Sequence, residues 1–212
     1  GITREMQRAS LSALNDLNHL RHKHIGDPEI AARINSYELA FRMQSAAPEL
    51  VDLKGESAAT LDAYGVNRVE PPIKSNLGGI GNYQIFSRHC LQARRMVERG
   101  VRFVNIIHAS WDHHSSLDPQ LAHNCGMVDQ PIAALLKDLK QRGLLDTTLV
   151  VWGSEFGRTA LGENRPGNKS VTGRDHHPYA FSLWMAGGGI KGGQVYGGTD
   201  DFAWHEIGRA HV

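Results

Sequence analysis

Cysteine is nearly absent from this sequence. Cys90 and Cys125 are the only two in 212 residues, too few for a disulfide framework, and neither sits in a metal-type CxxC pair. An excess of charge of one sign is lacking too. Lys and Arg total 23 against 22 for Asp and Glu, a formal charge of +1, whereas a general nucleic-acid binder shows a clustered basic excess. Nucleic acid is therefore excluded as an expected partner. No apolar run approaches the roughly 18 residues that a membrane helix needs, and no charged-then-apolar leader opens the chain. A nucleotide-binding phosphate loop is missing as well, because Lys191 in the glycine-rich stretch 187–198 is not followed by Ser or Thr. What remains is 41% apolar and 21% charged, the composition of a globular chain long enough to bury a core.

Histidine is the outlier. There are twelve, and six fall between His108 and His177. Both ends are also unusual. The chain starts at Gly1, and its last seven residues, Glu206 to Val212, match the in-frame translation of a common sequencing adapter. The expectation is a piece of a larger protein, with 206–212 an artefact left out of the fold reading and with no inference about localisation from the missing leader.

Helical spacing of Ile2, Met6, Leu11, Leu14, Leu17 and Leu20 predicts a first helix over 3–24. Asp27-Pro28 reads as a cap with Pro at the first helical position, opening a second helix to about Ala46 that Pro48 ends. Residues 48–82, with Pro71, Pro72 and the cluster Gly78 to Gly81, read as an irregular connection. A helix over 82–100 is closed by Gly100, and a second, over 119–142, by Gly143. Three runs read as strands: 101–107, 147–152 and 180–185. The middle run, Thr-Thr-Leu-Val-Val-Trp, is apolar on consecutive positions, as in a parallel strand covered on both faces. This rhythm predicts an α/β fold with a mainly parallel sheet sandwiched by helices, the 119–142 helix crossing over between the first two strands. Residues 1–82 are then a mostly helical peripheral segment of the same domain, and 83–201 the C-terminal part of the α/β core.

The chemistry should lie just outside the strands. In Ser110-Trp111-Asp112-His113-His114-Ser115, extended backbone puts Asp112 and His114 on one side and Trp111 and His113 on the other. Gly153-Ser154-Glu155-Phe156-Gly157-Arg158 places a carboxylate beyond the second strand, and Gly173-Arg174-Asp175-His176-His177-Pro178 precedes the third. Asp112, His114 and His176 together offer one carboxylate and two imidazoles, the donor set of a catalytic zinc that leaves its fourth position to water. Glu155 is a further candidate ligand, and Asp175 could orient the His176 ring from behind. Arg158 and Arg174 read as anion clamps or as plain surface charge. Each piece also has a bland reading: a lone DxH is commonly a solvated turn with a capping Asp, and HHP is mostly loop. His108 and His123 read as structural, and His19, His22 and His24 as solvated.

SWDHHS, VVWGSEFGRT, GRDHHP and WMAGGGIKGGQVYGGTDD resemble the blocks of domain-of-unknown-function family 1501, bacterial proteins abundant in planctomycetes, over nearly the whole chain to about Asp201. That family is similar to the alkaline phosphatase and sulfatase superfamily, which includes cofactor-independent phosphoglycerate mutase. The resemblance implies an alkaline-phosphatase-like α/β/α sandwich, here incomplete at its N-terminus, with a metal site at the strand ends. The family block usually reads GWDTHG, so Asp112 and His114 take the places of its Asp and His, with His176 joining them on one metal. Where the superfamily supplies an Asp-His pair for a second metal, this chain has Glu155-Phe156: the carboxylate is present and the imidazole is not. The nucleophile of such enzymes comes from an N-terminal strand that this sequence does not contain.

The expectation is a metal-dependent hydrolase of phosphate or sulfate esters. Zinc is the expected cofactor, with calcium or manganese as alternatives, and a small anionic ester or a sulfated or phosphorylated glycan the expected substrate. The resemblance places such a protein in the periplasm or outside the cell. The alternative is a non-catalytic exported relative that binds a metal or an anionic glycan. A third reading is a structural protein whose histidines are incidental.

Overall fold

The computed structural model describes residues 1–72, 82–164 and 172–207. The chain divides into two compact units, Gly1–Gly55 and Glu56–Val212. The Gly78 to Gly81 cluster and the tail from 208 onward lie outside the described residues.

The first unit is a pair of helices whose limits are set locally. Thr3 caps α1 (Arg4–Ile25), its hydroxyl accepting the Met6 N–H at 3.2 Å, and Gly26 ends it at φ +70°. Asp27 caps α2 (Pro28–Val51) through the Glu29 N–H at 2.9 Å, with Pro at the first helical position as the sequence predicts. Pro48 does not stop this helix. It sits in the last turn, where its missing N–H removes a single hydrogen bond, and the helix runs on to Val51. The two helices pack on each other with an Arg8–Glu38 ion pair at 3.1 Å.

The second unit is built around α3 (Ala58–Tyr64), α4 (Asn82–Glu98) and α5 (Leu117–Gln141). Tyr64, Phe86, Cys90, Leu91, Met127, Leu135 and Leu139 form its core. Ile85 of α4 faces outward. Arg94 lies in this core, 3% exposed, and is held by three carboxylates. It donates to Glu56 and Glu98 at 2.7 Å each, and Asp138 is 3.0 Å away. Tyr64 donates to the same Asp138 carboxylate at 3.1 Å. One guanidinium thus ties the segment before α3 to α4 and α5. Cys90 is free and buried, its thiol pushed up to about 12 by burial.

The strands correct the sequence-based fold. β1 (Leu149–Trp152) pairs antiparallel with β4 (Trp184–Gly187), β2 (Gly157–Gly162) with β3 (Arg174–His177), and β5 (Gly198–Thr199) with β6 (Glu206–Ile207). These are three small two-stranded sheets, and no parallel sheet sandwiched by helices occurs among the described residues. Residues 101–107 form no strand. Val104 and Ile106 are half-buried, but Phe103 and Ile107 are 83% and 81% exposed. With no ladder at 101–107, α5 is not a crossover between parallel strands. The physical reason lies in what an apolar run encodes. It reports a tendency to be buried in extended form, but carries no mark of the partner or its direction. The connection between β2 and β3, residues 163–173, is too short for the crossover that a parallel pair needs. The consecutive apolar residues of β1, expected to be covered on both faces, are largely exposed. No helix among the described residues is long and apolar enough to cross a membrane.

Removing Arg94 leaves Glu56, Glu98 and Asp138 facing one another with only Arg95 and Arg142 beside them. Arg94→Ala should destabilise the chain by about 3–5 kcal/mol in urea unfolding, the range for breaking a buried ion pair from one side. Arg142→Ala removes a more exposed partner of Glu98 and Asp138 and should cost no more than about 1 kcal/mol. Equal effects of the two would contradict this account.

Candidate metal centre

The loop between residue 110 and α5 is held at both ends by unusual backbone. Ser110 has φ +78° and Ser116 φ +52°, a region that costs L-residues about 1–2 kcal/mol each. Between them the loop lies on the segment leading into β3. Arg174 N–H donates to His113 C=O at 3.0 Å, Leu117 N–H to Thr172 C=O at 2.8 Å, and Ser116 N–H to the Thr172 hydroxyl at 3.2 Å. Gly173 makes this approach available: a Cβ there would lie 2.0 Å from the His114 carbonyl carbon. The glycine of the GRDHHP block is thus explained by backbone contact.

Three predicted ligands meet as a result. Asp112 Oδ1 is 2.8 Å from His176 Nε2 and 2.9 Å from His114 Nε2, and the two ring nitrogens are 3.2 Å apart. A circle through these three atoms has a radius of about 1.7 Å, less than a zinc–nitrogen or zinc–oxygen bond of ~2.0–2.2 Å. All three can therefore bond one ion lying off their plane. The alternation expected around Asp112 is also present, since His113 is buried against Asn124 and Trp111, away from the cluster. In β3 the same two-residue period separates the two neighbouring histidines. His176 faces the cluster, while His177 is buried against Trp204 and donates from Nε2 to its C=O at 2.5 Å.

The other predicted residues are placed differently. Glu155 is exposed and accepts from the neighbouring Ser154 hydroxyl at 2.9 Å; it belongs to neither grouping of ligand atoms among the described residues. That hydrogen bonding holds its carboxyl below the usual range, first through its own backbone N–H. Asp175 does not orient the His176 ring. It accepts the His176 backbone N–H at 2.7 Å. Arg158 is drawn to Asp112, with Nη2 to Oδ1 at 2.5 Å, and also donates to the Trp111 and Arg174 carbonyls. Arg174 donates to the Thr159 carbonyl at 3.2 Å. Asp112 is 63% exposed, yet hydrogen bonds from His176 and then Arg158 hold its carboxyl well below the usual carboxylate range.

Glu163 went unseen in the sequence. It stands one residue beyond β2, with its N–H donating to Gly173 C=O at 2.9 Å, and its Oε2 lies 2.6 Å from His114 Nδ1. Together with Asp175 and His114 it makes a second grouping of ligand atoms within 4.8 Å of one another. Forty-nine residues separate it from His114, so no local spacing marks it. Only the β2–β3 register reveals it, because Gly162 pairs with Arg174.

Among known proteins, a family described as a protein of unknown function, DUF1501, matches residues 1–211. No curated protein and no solved structure matches.

Two outcomes follow from this geometry. Gly173→Ala should push the 113–115 backbone off β3, destabilising the chain by about 1–3 kcal/mol as overpacking does. It should also separate His114 from His176, read as loss of the nuclear Overhauser contact between the two rings. An unmoved contact would contradict the role given to Gly173. The second outcome concerns pH. Burial lowers the imidazole pKa of His108, and burial followed by Arg158 lowers that of His113, from the ordinary 6.5. The folded chain then binds fewer protons than the unfolded chain below about pH 6.5. Stability is complete above that value and falls as pH drops through it. The urea midpoint should be lower at pH 5.5 than at 7.5, with a shallower fall in His113→Gln; a flat wild-type profile would refute this.

Proposed function

We propose that this chain, which belongs to the DUF1501 family of proteins of unknown function, holds a divalent cation between Asp112, His114 and His176 and hydrolyses phosphate or sulfate esters there. The observation that carries the reading is the convergence of one carboxylate oxygen and two imidazole nitrogens, from segments more than sixty residues apart, within 3.2 Å of one another. Two imidazoles and one carboxylate suit zinc, whereas calcium asks for six to eight oxygens. When bound, such an ion supplies Lewis acidity and lowers the pKa of a coordinated water.

The surrounding side chains contribute the rest. The Arg158 guanidinium, 2.5 Å from Asp112, sets a permanent positive charge beside the donor atoms, where the charge of an anionic ester would be met. The Phe156 ring packs on His176 with centroids 4.5 Å apart, restricting that ring and covering one of its faces. The ester class rests on the likeness of the DUF1501 family, whose blocks EFGRT and GRDHHP resemble, to the phosphatase and sulfatase superfamily. A small anionic ester or a sulfated or phosphorylated glycan as substrate, and a periplasmic or secreted location, belong to the same proposal.

Phe156 favours a second reading, that of a non-catalytic protein binding a metal or an anionic glycan. It stands where the superfamily places the imidazole of a second metal, and a phenyl ring cannot ligate.

Zinc titration against a chromophoric chelator tests the centre. One equivalent should bind the wild type. His176→Ala should weaken binding more than about 100-fold, since even residues behind a ligand contribute 10–100-fold. Glu155→Ala should stay within about threefold, because its carboxylate turns to Ser154. Hydrolysis of 4-nitrophenyl phosphate or sulfate by the zinc-loaded chain, abolished by chelator, would support the enzyme. Tight zinc without turnover would support the second reading, and no zinc binding would overturn both.

A further inference from the structure

The His114 ring is held from behind by a carboxylate that is far better shielded than the one in front. Glu163 is 11% exposed and Asp112 63%; His114 itself is 20% exposed. The contact from Nδ1 to Glu163 Oε2, at 2.6 Å, is the shortest His114 makes to a side chain. An ionised carboxylate only accepts hydrogen bonds, so the Nδ1 proton must point at Glu163. A neutral ring then has a bare lone pair at Nε2. That nitrogen faces Asp112 Oδ1 at 2.9 Å and His176 Nε2 at 3.2 Å. A lone pair aimed at a carboxylate oxygen is repulsive, and a cation between the two removes the repulsion.

We propose that Glu163 is the positioning residue of this centre: it fixes His114 as the Nδ1–H tautomer and so turns Nε2 into the metal-facing nitrogen. The inference rests on the metal reading above and adds to it the residue that sets which nitrogen binds. Glu163 is itself anchored through its backbone, Glu163 N–H to Gly173 C=O at 2.9 Å. The same glycine lies under the His114 carbonyl, so ring and carboxylate are registered to one point of the chain. Carboxylates in this position hold the tautomer, direct the ring and raise the basicity of the ligating nitrogen.

Long-range proton–nitrogen NMR of the uniformly labelled full chain reads the tautomer directly, without metal. Wild-type His114 should carry its proton on Nδ1, and Glu163→Ala should shift the ring toward the Nε2–H form. Zinc titration gives the second readout. Glu163→Gln keeps the volume and one accepting oxygen but loses the charge, and should weaken zinc about tenfold; Glu163→Ala should do so by up to about 100-fold. Should His176→Ala lose zinc while both Glu163 variants bind within threefold of wild type and keep the tautomer, the positioning role is overturned and the metal centre stands. If His176→Ala binds as wild type does, the metal reading falls and this inference with it. Two zinc equivalents per chain, the second lost in Glu163→Ala, would also overturn it, because Glu163 would then be a ligand.

Discussion

The close passage of residues 113–117 over residues 172–174 is the contact on which the centre depends. Backbone hydrogen bonds from Arg174 to His113 and from Leu117 to Thr172 fix the register, and Gly173 supplies the space. Of this passage only the outer residues, Leu117 at the start of α5 and Arg174 at the start of β3, belong to regular structure. The loop has no ladder of its own, and its two ends, Ser110 and Ser116, adopt left-handed backbone. Backbone strain of that kind persists only where the surroundings over-determine it. Here the surroundings are the start of β3 on one side and, on the other, Asn124 of α5, which donates to the Ser110 carbonyl at 2.5 Å.

That support leads back to the helical core. α5 is positioned by its packing on α3 and α4 and by the charge cluster around Arg94, where one buried cation answers Glu56, Glu98 and Asp138. Buried ion pairs contribute little net stability, but losing one partner is costly. Tyr83 of α4 donates to the His123 carbonyl at 2.8 Å, and its ring packs against that imidazole. His123 and Asn124 are neighbours on α5, so the same helix that closes the core also holds the loop that carries Asp112 and His114. His113 is buried and His108 half-buried beside it, and burial lowers the pKa of both rings. The histidine-rich stretch thus does two jobs: His114 and His176 face the cluster, while His113, His123 and His177 are packed inside.

Electrostatics around Asp112 are unusually crowded for an exposed group. One oxygen meets Arg158, His176 and His114. The arrangement concentrates one guanidinium and two imidazole nitrogens on a single carboxylate atom, and the shielded Glu163 lies on the far side of His114. An anionic ligand arriving here would find Arg158 already committed to Asp112, so its guanidinium must be shared rather than supplied afresh.

How much of this could be read in advance depends on the range of the forces involved. Helix limits are settled within four residues, by caps such as Thr3 and Asp27-Pro28 and by glycines at positive φ such as Gly26, Gly100 and Gly143; local sequence specified most of them, though α2 ran past Pro48 and α5 began at Leu117. Two-residue alternation likewise put Asp112 and His114 on one side of their loop and His113 on the other. Sequence named His176 as well, by chemistry and resemblance. The direction in which strands pair was another matter. The apolar runs at 149–152 and 101–107 encode extended backbone and a wish for burial, yet nothing in them distinguishes an antiparallel neighbour from a parallel one, or either from none. Tertiary structure alone decided that β1 meets β4, that 101–107 meets no strand, and that Asp175 turns to a backbone amide. It alone brought Glu163 to His114 and Arg158 to Asp112. Those contacts join residues 46 and 49 positions apart, and a side chain carries no local mark of a partner that only the folded backbone brings within reach.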